Sequence, residues 1–441
     1  MCPACLPACV RPFVLPLIMS SALSFALVFA VALLVSTATK LWLAGRQIRH
    51  VARRRRSVPD AFAERITTAA HGRAADYTIA RTRLAMVDTV FGAVVLLGFT
   101  LFGGLQWLLD AWQTALPAWP FARSLAFVGS VVAIGALLDL PFEWIRRFRI
   151  EERFGFNRMT PRLFFVDLFK AAAIAVVLGL PLLALVLWLM QRPGGWWWLQ
   201  VWGVWIVFNL AVLVLYPTVL APLFNRFEPL PEGELHERVE ALLARCRFSA
   251  RGLFVMDGSR RSAHGNAYFT GLGRAKRIVF FDTLLERLTP PEIEAVLAHE
   301  LGHHARRHVQ KHIALGFLAS FAGLWLLGWL SGRNWFYEGL GVSPDLGTVQ
   351  AAALVLFLLV TPVFAFLLQP LFAAISRRHE FEADAFAAAH ADARDLVSAL
   401  VKLYRDNAAT LTPDPLHSAF YDSHPPAVQR IGRLEPEPHG S

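Results

Sequence analysis

Long apolar stretches alternate with polar segments along the chain, and seven of these stretches are about 20 residues or longer. Five follow one another, at residues 13–39, 90–112, 124–144, 163–190 and 196–216. Two more come later, at residues 313–330 and 349–371. A helix of about 20 apolar residues is long enough to cross a bilayer. The pattern therefore predicts seven transmembrane helices, the first of which is too long for a signal-peptide core.

The segment between the fifth and sixth stretches is polar and rich in turns, which predicts a separate folded domain. Its predicted elements are an amphipathic helix, a strand and a hairpin, at residues 235–246, 253–257 and 266–281. A second helix follows at once, because Thr289 and Glu292 flank two prolines in the pattern of a capping box. We therefore expect a small β-sheet next to helices in this segment.

The composition and the distribution of charge agree with a membrane protein. Hydrophobic residues make up 56% of the chain and charged residues 17%, with a mean hydropathy of +0.46. The net charge of +10 does not indicate a nucleic-acid partner, because the arginines flank the apolar stretches and form no single basic face. The arginine-rich loops after the first and third stretches are expected in the cytoplasm. This topology places the N-terminus outside and the polar segment inside.

The cysteines do not indicate a functional site. Three of the four cysteines, Cys2, Cys5 and Cys9, lie at the N-terminus, which excludes a disulfide scaffold. A disordered N-terminal tip explains them more simply than a metal or redox pair. Cys246 is interpreted as a small buried residue.

The motif that suggests catalysis is His-Glu-Leu-Gly-His, at residues 299–303. Histidines four residues apart lie on one face of a helix, so both imidazoles can reach one metal ion. The glutamate between them, Glu300, can take a proton from a water molecule at the metal. The alternative interpretation is a core helix with two partnered histidines.

A catalytic zinc site also needs a third protein ligand and an open position. A metzincin would have its third histidine at Val309 and a glycine at Arg306, so that class is excluded. Glu380 and Asp384 lie one helical turn apart after the seventh stretch, where Glu380 can bind metal and Asp384 can orient a ligand. His379 is a competing ligand, and charged residues at a membrane exit are often only solvated.

Several longer motifs in the same order make the chain similar to the type I CAAX prenyl endopeptidases, a family of integral-membrane zinc metalloproteases. Besides the two metal segments, the matching stretches are residues 150–157, 221–233, 261–269 and 424–426. The resemblance implies one Zn²⁺ ion with three ligands, His299, His303 and Glu380. It also implies seven helices around a chamber, with a zincin-like catalytic domain on the cytoplasmic side.

The resemblance assigns further roles around the metal: Glu300 would be the general base, Asp384 would support the ligands, and Asn266 and His424 would contact the substrate. An edge strand at 266–270 could pair with an extended peptide, and a histidine can hydrogen-bond a developing oxyanion. His424 would otherwise be a structural loop residue. Arg430 is either an anchor for that loop or an ordinary surface arginine. No role follows for His264, His304 and His308.

The sequence thus predicts a mainly α-helical, polytopic membrane protein that hydrolyses peptide bonds with zinc-activated water. The predicted parts are an N-terminal tip (1–12), five transmembrane helices (13–216), a cytoplasmic metalloprotease domain (217–312), two further transmembrane helices (313–375) and a C-terminal catalytic segment (376–441). Its expected partners are the lipid bilayer and a peptide or protein substrate, membrane-associated or lipidated, and no nucleic acid.

Two other functions are compatible with these features. One is a protease for quality control of membrane proteins. The other is a transporter or scaffold with structural zinc, although such a site is usually closed by a fourth ligand. The richness in alanine, leucine and arginine suggests a bacterial homologue located in the inner membrane.

Overall fold

The structure, a computed structural model, describes residues 20–270, 276–345 and 347–435. The predicted N-terminal tip with its three cysteines, the turn of the predicted hairpin and the last six residues lie outside these ranges. Helices dominate the architecture, in the order α1 (Ser21–Arg54), α2 (Thr68–Phe99), α3 (Gly104–Ala115), α4 (Pro120–Ile145), α5 (Pro161–Ile174), α6 (Leu180–Met190), α7 (Trp197–Leu215), α8 (Ala221–Phe224), α9 (Glu234–Arg245), α10 (Asp282–Leu285), α11 (Pro290–Ala305), α12 (His308–Leu330), α13 (Asn334–Glu338), α14 (Val349–Ala365), α15 (Gln369–His390), α16 (Ala393–Asp406), α17 (Pro415–Tyr421) and α18 (Ala427–Leu434).

Seven helical segments of the described chain are long and apolar enough to cross a membrane, which confirms the predicted number. They are α1, α2, α4, α5 with α6, α7 with α8, α12, and α14 with α15. Many of their leucine, valine and tryptophan side chains point away from the protein, as expected for surfaces that face lipid. The last segment is continuous from Val349 to His390.

The first two helices differ from their prediction in length. The helix α1 continues through the arginine cluster to Arg54, and α2 begins at Thr68, where the side chain of Thr67 accepts a hydrogen bond from the amide of Ala70. The prediction of one helix over residues 90–112 is wrong, because α2 ends at Phe99 and α3 starts after Gly103, which has φ of +76°. Hydropathy records which residues are apolar, whereas caps and left-handed residues determine where helices end.

Four short strands form the small sheet that the sequence predicts. They are β1 (Phe227–Pro229), β2 (Gly252–Met256), β3 (Ala267–Thr270) and β4 (Arg277–Phe281), in the spatial order β1-β2-β4-β3. The predicted hairpin is present as the antiparallel pair of β3 and β4, while β2 and β4 are parallel. Buried side chains of the sheet, such as Ile278 and Phe280, pack with Leu242 of α9 and Ile293 of α11. The sheet thus supports α11 on one side and leaves β3 as an edge strand.

A cavity of about 1350 Å³ lies between the membrane helices and residues 407–422. Polar and apolar residues of α1, α2, α15 and residues 407–422 line it, including Gln47, Arg81 and Phe366. A second cavity of about 350 Å³ lies against α11. Asn407 and Ala409 line both cavities, so the two spaces meet at this segment.

Candidate metal centre

The helix α11 is anchored at its first turn by the predicted capping box. The amide of Thr289 donates to Glu292 Oε2 over 2.8 Å. Glu292 also accepts hydrogen bonds of 2.7 Å from Ser398 and Lys402 of α16. Although burial raises the pKa of Glu292, these hydrogen bonds outweigh burial and hold it below its ordinary value. The start of α11 is therefore fixed against α16.

The helix α15 packs directly on α11 at the catalytic motif. A Cβ atom at Gly302 would lie 2.9 Å from the Cα and 3.0 Å from the carbonyl oxygen of Ala383. Only glycine allows this approach of the two backbones without a shift. The contact brings the acidic segment of α15 beside the two histidines of α11.

Three side chains converge where these helices meet. His299, His303 and Glu380 each contribute one atom to a set whose members lie within 4.8 Å of one another. The Nε2 atoms of the two histidines are 3.3 Å apart, and Glu380 carboxylate oxygens lie 3.5 Å and 3.3 Å from them. The competing ligand His379 is not in this set; it stacks on His308, with ring centroids 4.0 Å apart.

The arrangement suits a bound cation. Glu380 Oε2 is buried and has no hydrogen-bond partner among the described residues. A neutral His299 that donates from Nδ1 to Asp384 carries its lone pair on Nε2, which faces His303 and Glu380. Two nitrogen donors and one carboxylate oxygen form a ligand set that zinc accepts, with a fourth position open.

Electrostatics at the cluster favour positive charge. Burial alone would lower the pKa of His299, but its hydrogen bonds with Asp384 and Glu380 raise the pKa to about 9. His299 Nδ1 lies 2.8 Å from Asp384 Oδ1. The carboxylates that stabilise a protonated imidazole would stabilise a metal ion in the same place.

Arg430 is buried, which the sequence did not show. Its guanidinium donates to both oxygens of Asp384, over 2.6 Å and 2.8 Å, and lies 3.7 Å from Glu380 Oε2. The residue is 5% exposed, so it is not a surface arginine. Its charge partly balances the two buried carboxylates and fixes Asp384 behind His299.

The predicted base and the two predicted substrate-contacting residues line one cavity together with His299. Glu300, Asn266 and His424 all border the space of about 350 Å³. Burial raises the pKa of Glu300, which makes its carboxylate a stronger base. Asn266 directly precedes the edge strand β3, and His424 Nε2 lies 3.4 Å from Glu380 Oε1.

Two further residues at the site could not be assigned a role from the sequence. Tyr404 lines the same cavity as Glu300, and His308 contacts His303. His308 follows the motif by only five residues, but nothing in the spacing tells a partnered histidine from a solvated one. Tyr404 lies on an amphipathic helix whose buried face is otherwise apolar.

Two family models match the chain in succession. The model for the CAAX prenyl protease N-terminal region with five membrane helices matches residues 47–226, and the model for peptidase family M48 matches residues 229–437. Together they span both the membrane helices and the metal centre.

Full-length relatives show the same similarity. The chain is 36% identical to CAAX prenyl protease 1 homolog of Arabidopsis thaliana, over 76% of this chain and 80% of that protein. It is 35% identical to CAAX prenyl protease 1 of Saccharomyces cerevisiae, over 71% and 72% of the two chains. It is 31% identical to the homolog of Homo sapiens, over 76% and 79%.

A solved structure extends the similarity to the fold. The crystal structure of S. mikatae Ste24p superimposes with a TM-score of 0.86 at 28% identity, and the match covers 93% of this chain and 99% of that one. These relatives are eukaryotic, so they do not support the bacterial origin and bacterial inner membrane inferred from composition.

Proposed function

The chain belongs to peptidase family M48, among the CAAX prenyl proteases, and is a multi-pass membrane metallopeptidase; from this premise we propose that its metal is zinc, bound by His299, His303 and Glu380. The observation that carries the proposal is the convergence of these three donors next to the half-buried Glu300. When bound, zinc acidifies water and polarises a peptide carbonyl.

Glu300 is the general base in this proposal. Its carboxylate borders the cavity beside His299, where it can accept a proton from the attacking water and return it to the leaving amine. The apolar surroundings that raise its pKa bring it closer to the range in which a carboxylate both takes and gives a proton.

The peptide would lie along β3. Among the strands that the structure describes, this strand pairs only with β4, so its other edge can pair with an extended chain in the region next to Asn266. His424 borders the same cavity, with Nε2 3.4 Å from Glu380 Oε1, where a ring nitrogen can donate to the oxyanion that develops at the carbonyl. Asp384 and Arg430 hold the ring of His299 in place.

The relatives are named CAAX prenyl proteases, and we extend that substrate class to this chain: a peptide with a lipidated cysteine near its C-terminus. The cavity among the membrane helices supports this choice. Its wall combines apolar side chains such as Met86 and Phe372 with polar ones such as Arg81, and it meets the metal cavity at Asn407. A lipid chain and a polar peptide could be accommodated together.

We place the site on the cytoplasmic side. The basic segments that the positive-inside rule assigns to the cytoplasm contact the catalytic part of the chain. Arg46 pairs with Asp414 at 3.0 Å, and Arg65 pairs with Glu435 at 3.3 Å. The arginine-rich segments and the metal centre therefore share one side of the membrane.

The test is cleavage of a prenylated peptide by purified wild-type protein and by Glu300→Gln. We expect one zinc per chain in both proteins and cleavage only by the wild type, lost with a chelator and restored by Zn²⁺. Glu294→Gln is the matched control, because Glu294 lies on the same helix but pairs with Arg238 and Arg245 away from the cavity. It should cleave normally.

Two results would contradict the proposal. Wild-type rates from Glu300→Gln would exclude the assigned base. Cleavage of an unfolded membrane protein but not of the prenylated peptide would replace the substrate class with quality control of membrane proteins.

A further inference from the structure

A fourth histidine, His308, continues the hydrogen-bonded network beyond the proposed ligands. It begins α12, directly after Arg307, whose φ of +58° turns the chain between α11 and α12. Its Nδ1 lies 3.1 Å from Nδ1 of His303, and its Nε2 lies 3.0 Å from Oε2 of Glu382. The side chain of His308 is 1% exposed, whereas that of Glu382 is 32% exposed, so the network runs from the interior to the surface.

We infer that His308 and Glu382 are positioning residues for His303. The inference rests on the proposed function, because it takes Nε2 of His303 as a metal ligand. A ligand nitrogen offers its lone pair, so a neutral His303 carries its proton on Nδ1 and donates it to Nδ1 of His308. A neutral His308 then carries its own proton on Nε2 and donates to Glu382.

The direction of both hydrogen bonds follows from this series. Each ring has one tautomer that satisfies both neighbours, and the series ends on a carboxylate, which only accepts. The carboxylate at the end of the series makes Nδ1 of His308 a stronger acceptor for the proton of His303 and thereby raises the basicity of His303 Nε2 as a ligand. The ring of His303 is thereby held in one orientation.

Packing restrains the same network. The His379 ring is stacked on His308 at 4.0 Å with an interplanar angle of 10°, which limits rotation of the His308 ring. The guanidinium of Arg378 donates to the other oxygen of Glu382 over 3.1 Å. Glu382 therefore has one oxygen for each partner and a fixed orientation.

The helix α15 provides one carboxylate that orients each histidine ligand. His299 is held directly by Asp384, whereas His303 is held through His308 by Glu382. Glu382 lies two residues and Asp384 four residues after the ligand Glu380, on different faces of the helix. One short acidic segment thus provides a ligand and orients the other two.

The inference is tested with Glu382→Gln, an isosteric change that removes the charge at the end of the network. The affinity for Zn²⁺ is measured by competition with a chelator, and the absorption spectrum is recorded with Co²⁺ in place of zinc. We expect affinity to fall by about 10- to 100-fold and the cobalt spectrum to change, because the ring of His303 is less firmly held. Glu294→Gln should leave both unchanged.

A double-mutant cycle tests whether Glu382 influences zinc affinity through His308. Glu382 acts through His308, so adding Glu382→Gln to His308→Ala should cause little further loss. Fully additive losses, or wild-type affinity and spectrum in Glu382→Gln, would overturn the inference while leaving the proposed zinc site intact. Failure of the wild-type protein to bind zinc would instead overturn the proposed function, and this inference with it.

Discussion

In the catalytic block, which we define as the described residues of 227–305 and 376–435, the helices α11 and α15 approach until their backbones are in contact; in the membrane half, residues 20–224 and 308–371, several glycines inside long helices face open space. An added Cβ at Gly302 would meet the backbone of Ala383 at 2.9 Å. At Gly92, Gly129 and Gly135 of the membrane helices, it would meet no atom within 4 Å. Close backbone contacts in the membrane half lie at helix ends instead, where a Cβ at Gly339 or Gly341 would meet the carbonyl oxygen of Ala22 or Thr100 at 2.7 Å or 2.6 Å. The contact between two helix interiors thus coincides with the candidate metal centre.

The two regions also differ in how deeply their ion pairs are buried. In the catalytic block, Asp384 and Glu380 are almost completely buried and depend on Arg430 and the histidines for compensation. At the opposite end of the membrane half, Arg123 pairs with Asp345, whose side chain remains 33% exposed. Water can replace a lost partner in the second pair but not in the first. The comparison therefore predicts that removing Arg430 lowers the free energy of unfolding more than removing Arg123 does.

The largest difference is expected between Arg430→Met and Arg123→Met. Loss of Arg430 leaves buried carboxylates without their cation, at a cost of about 3–5 kcal/mol in the free energy of unfolding. Loss of Arg123 should cost clearly less, because Asp345 is partly hydrated. Thermal unfolding of both variants in detergent, after removal of metal with a chelator, measures the difference. Equal losses would show that the two pairs do not differ in burial as the structure indicates.

A smaller difference is expected between Gly302→Ala and Gly135→Ala. The first substitution forces α11 and α15 apart, which should cost about 1–3 kcal/mol and lower cleavage because Glu380 moves away from the histidines. The second fills empty space on α4 and improves helix propensity, so stability should be unchanged or rise by up to about 1 kcal/mol. Unfolding midpoints and cleavage rates test both. A neutral Gly302→Ala would contradict the close packing.

The smallest effect concerns acid stability. The pKa of Glu292 is held below its ordinary value of 4.5, so its contribution is present above that pH and is lost as the pH falls through the lower value of the folded state. Glu292→Gln should therefore reduce the loss of stability in acid by about 1 kcal/mol or less. Unfolding midpoints between pH 6 and about 3 measure the effect. The exposed Asp110 of α3 provides the control, because Asp110→Asn should leave the acid profile unchanged.

Local features of the sequence predicted much of the fold. Seven apolar stretches gave the seven membrane helices, and Thr289 with Glu292 indicated the start of α11. The hairpin of β3 and β4 was also visible, because its partners are close in sequence. Each of these elements depends on residues within one helix or one turn.

Features that depend on distant partners could not be predicted. The burial of Arg430 depends on Asp384, 46 residues away, and the role of His308 depends on Glu382, 74 residues away. The parallel pairing of β2 with β4 likewise needs the tertiary fold. The limits of α1 and α2 were missed because the helices continue into polar sequence, where hydropathy carries no information about helix ends.

The helical segment from Val349 to His390 connects the membrane-spanning part of the chain with the candidate metal centre. Its 42 residues are about twice the number that crosses the hydrocarbon core, so one end is embedded in lipid and the other, beyond a 3-10 turn at Phe366–Leu368, carries Glu380. A bilayer that is thinner or thicker than the native one changes the tilt of such a helical segment. We therefore expect the geometry of the proposed metal site, and with it the rate of cleavage, to depend on the acyl-chain length of the lipids.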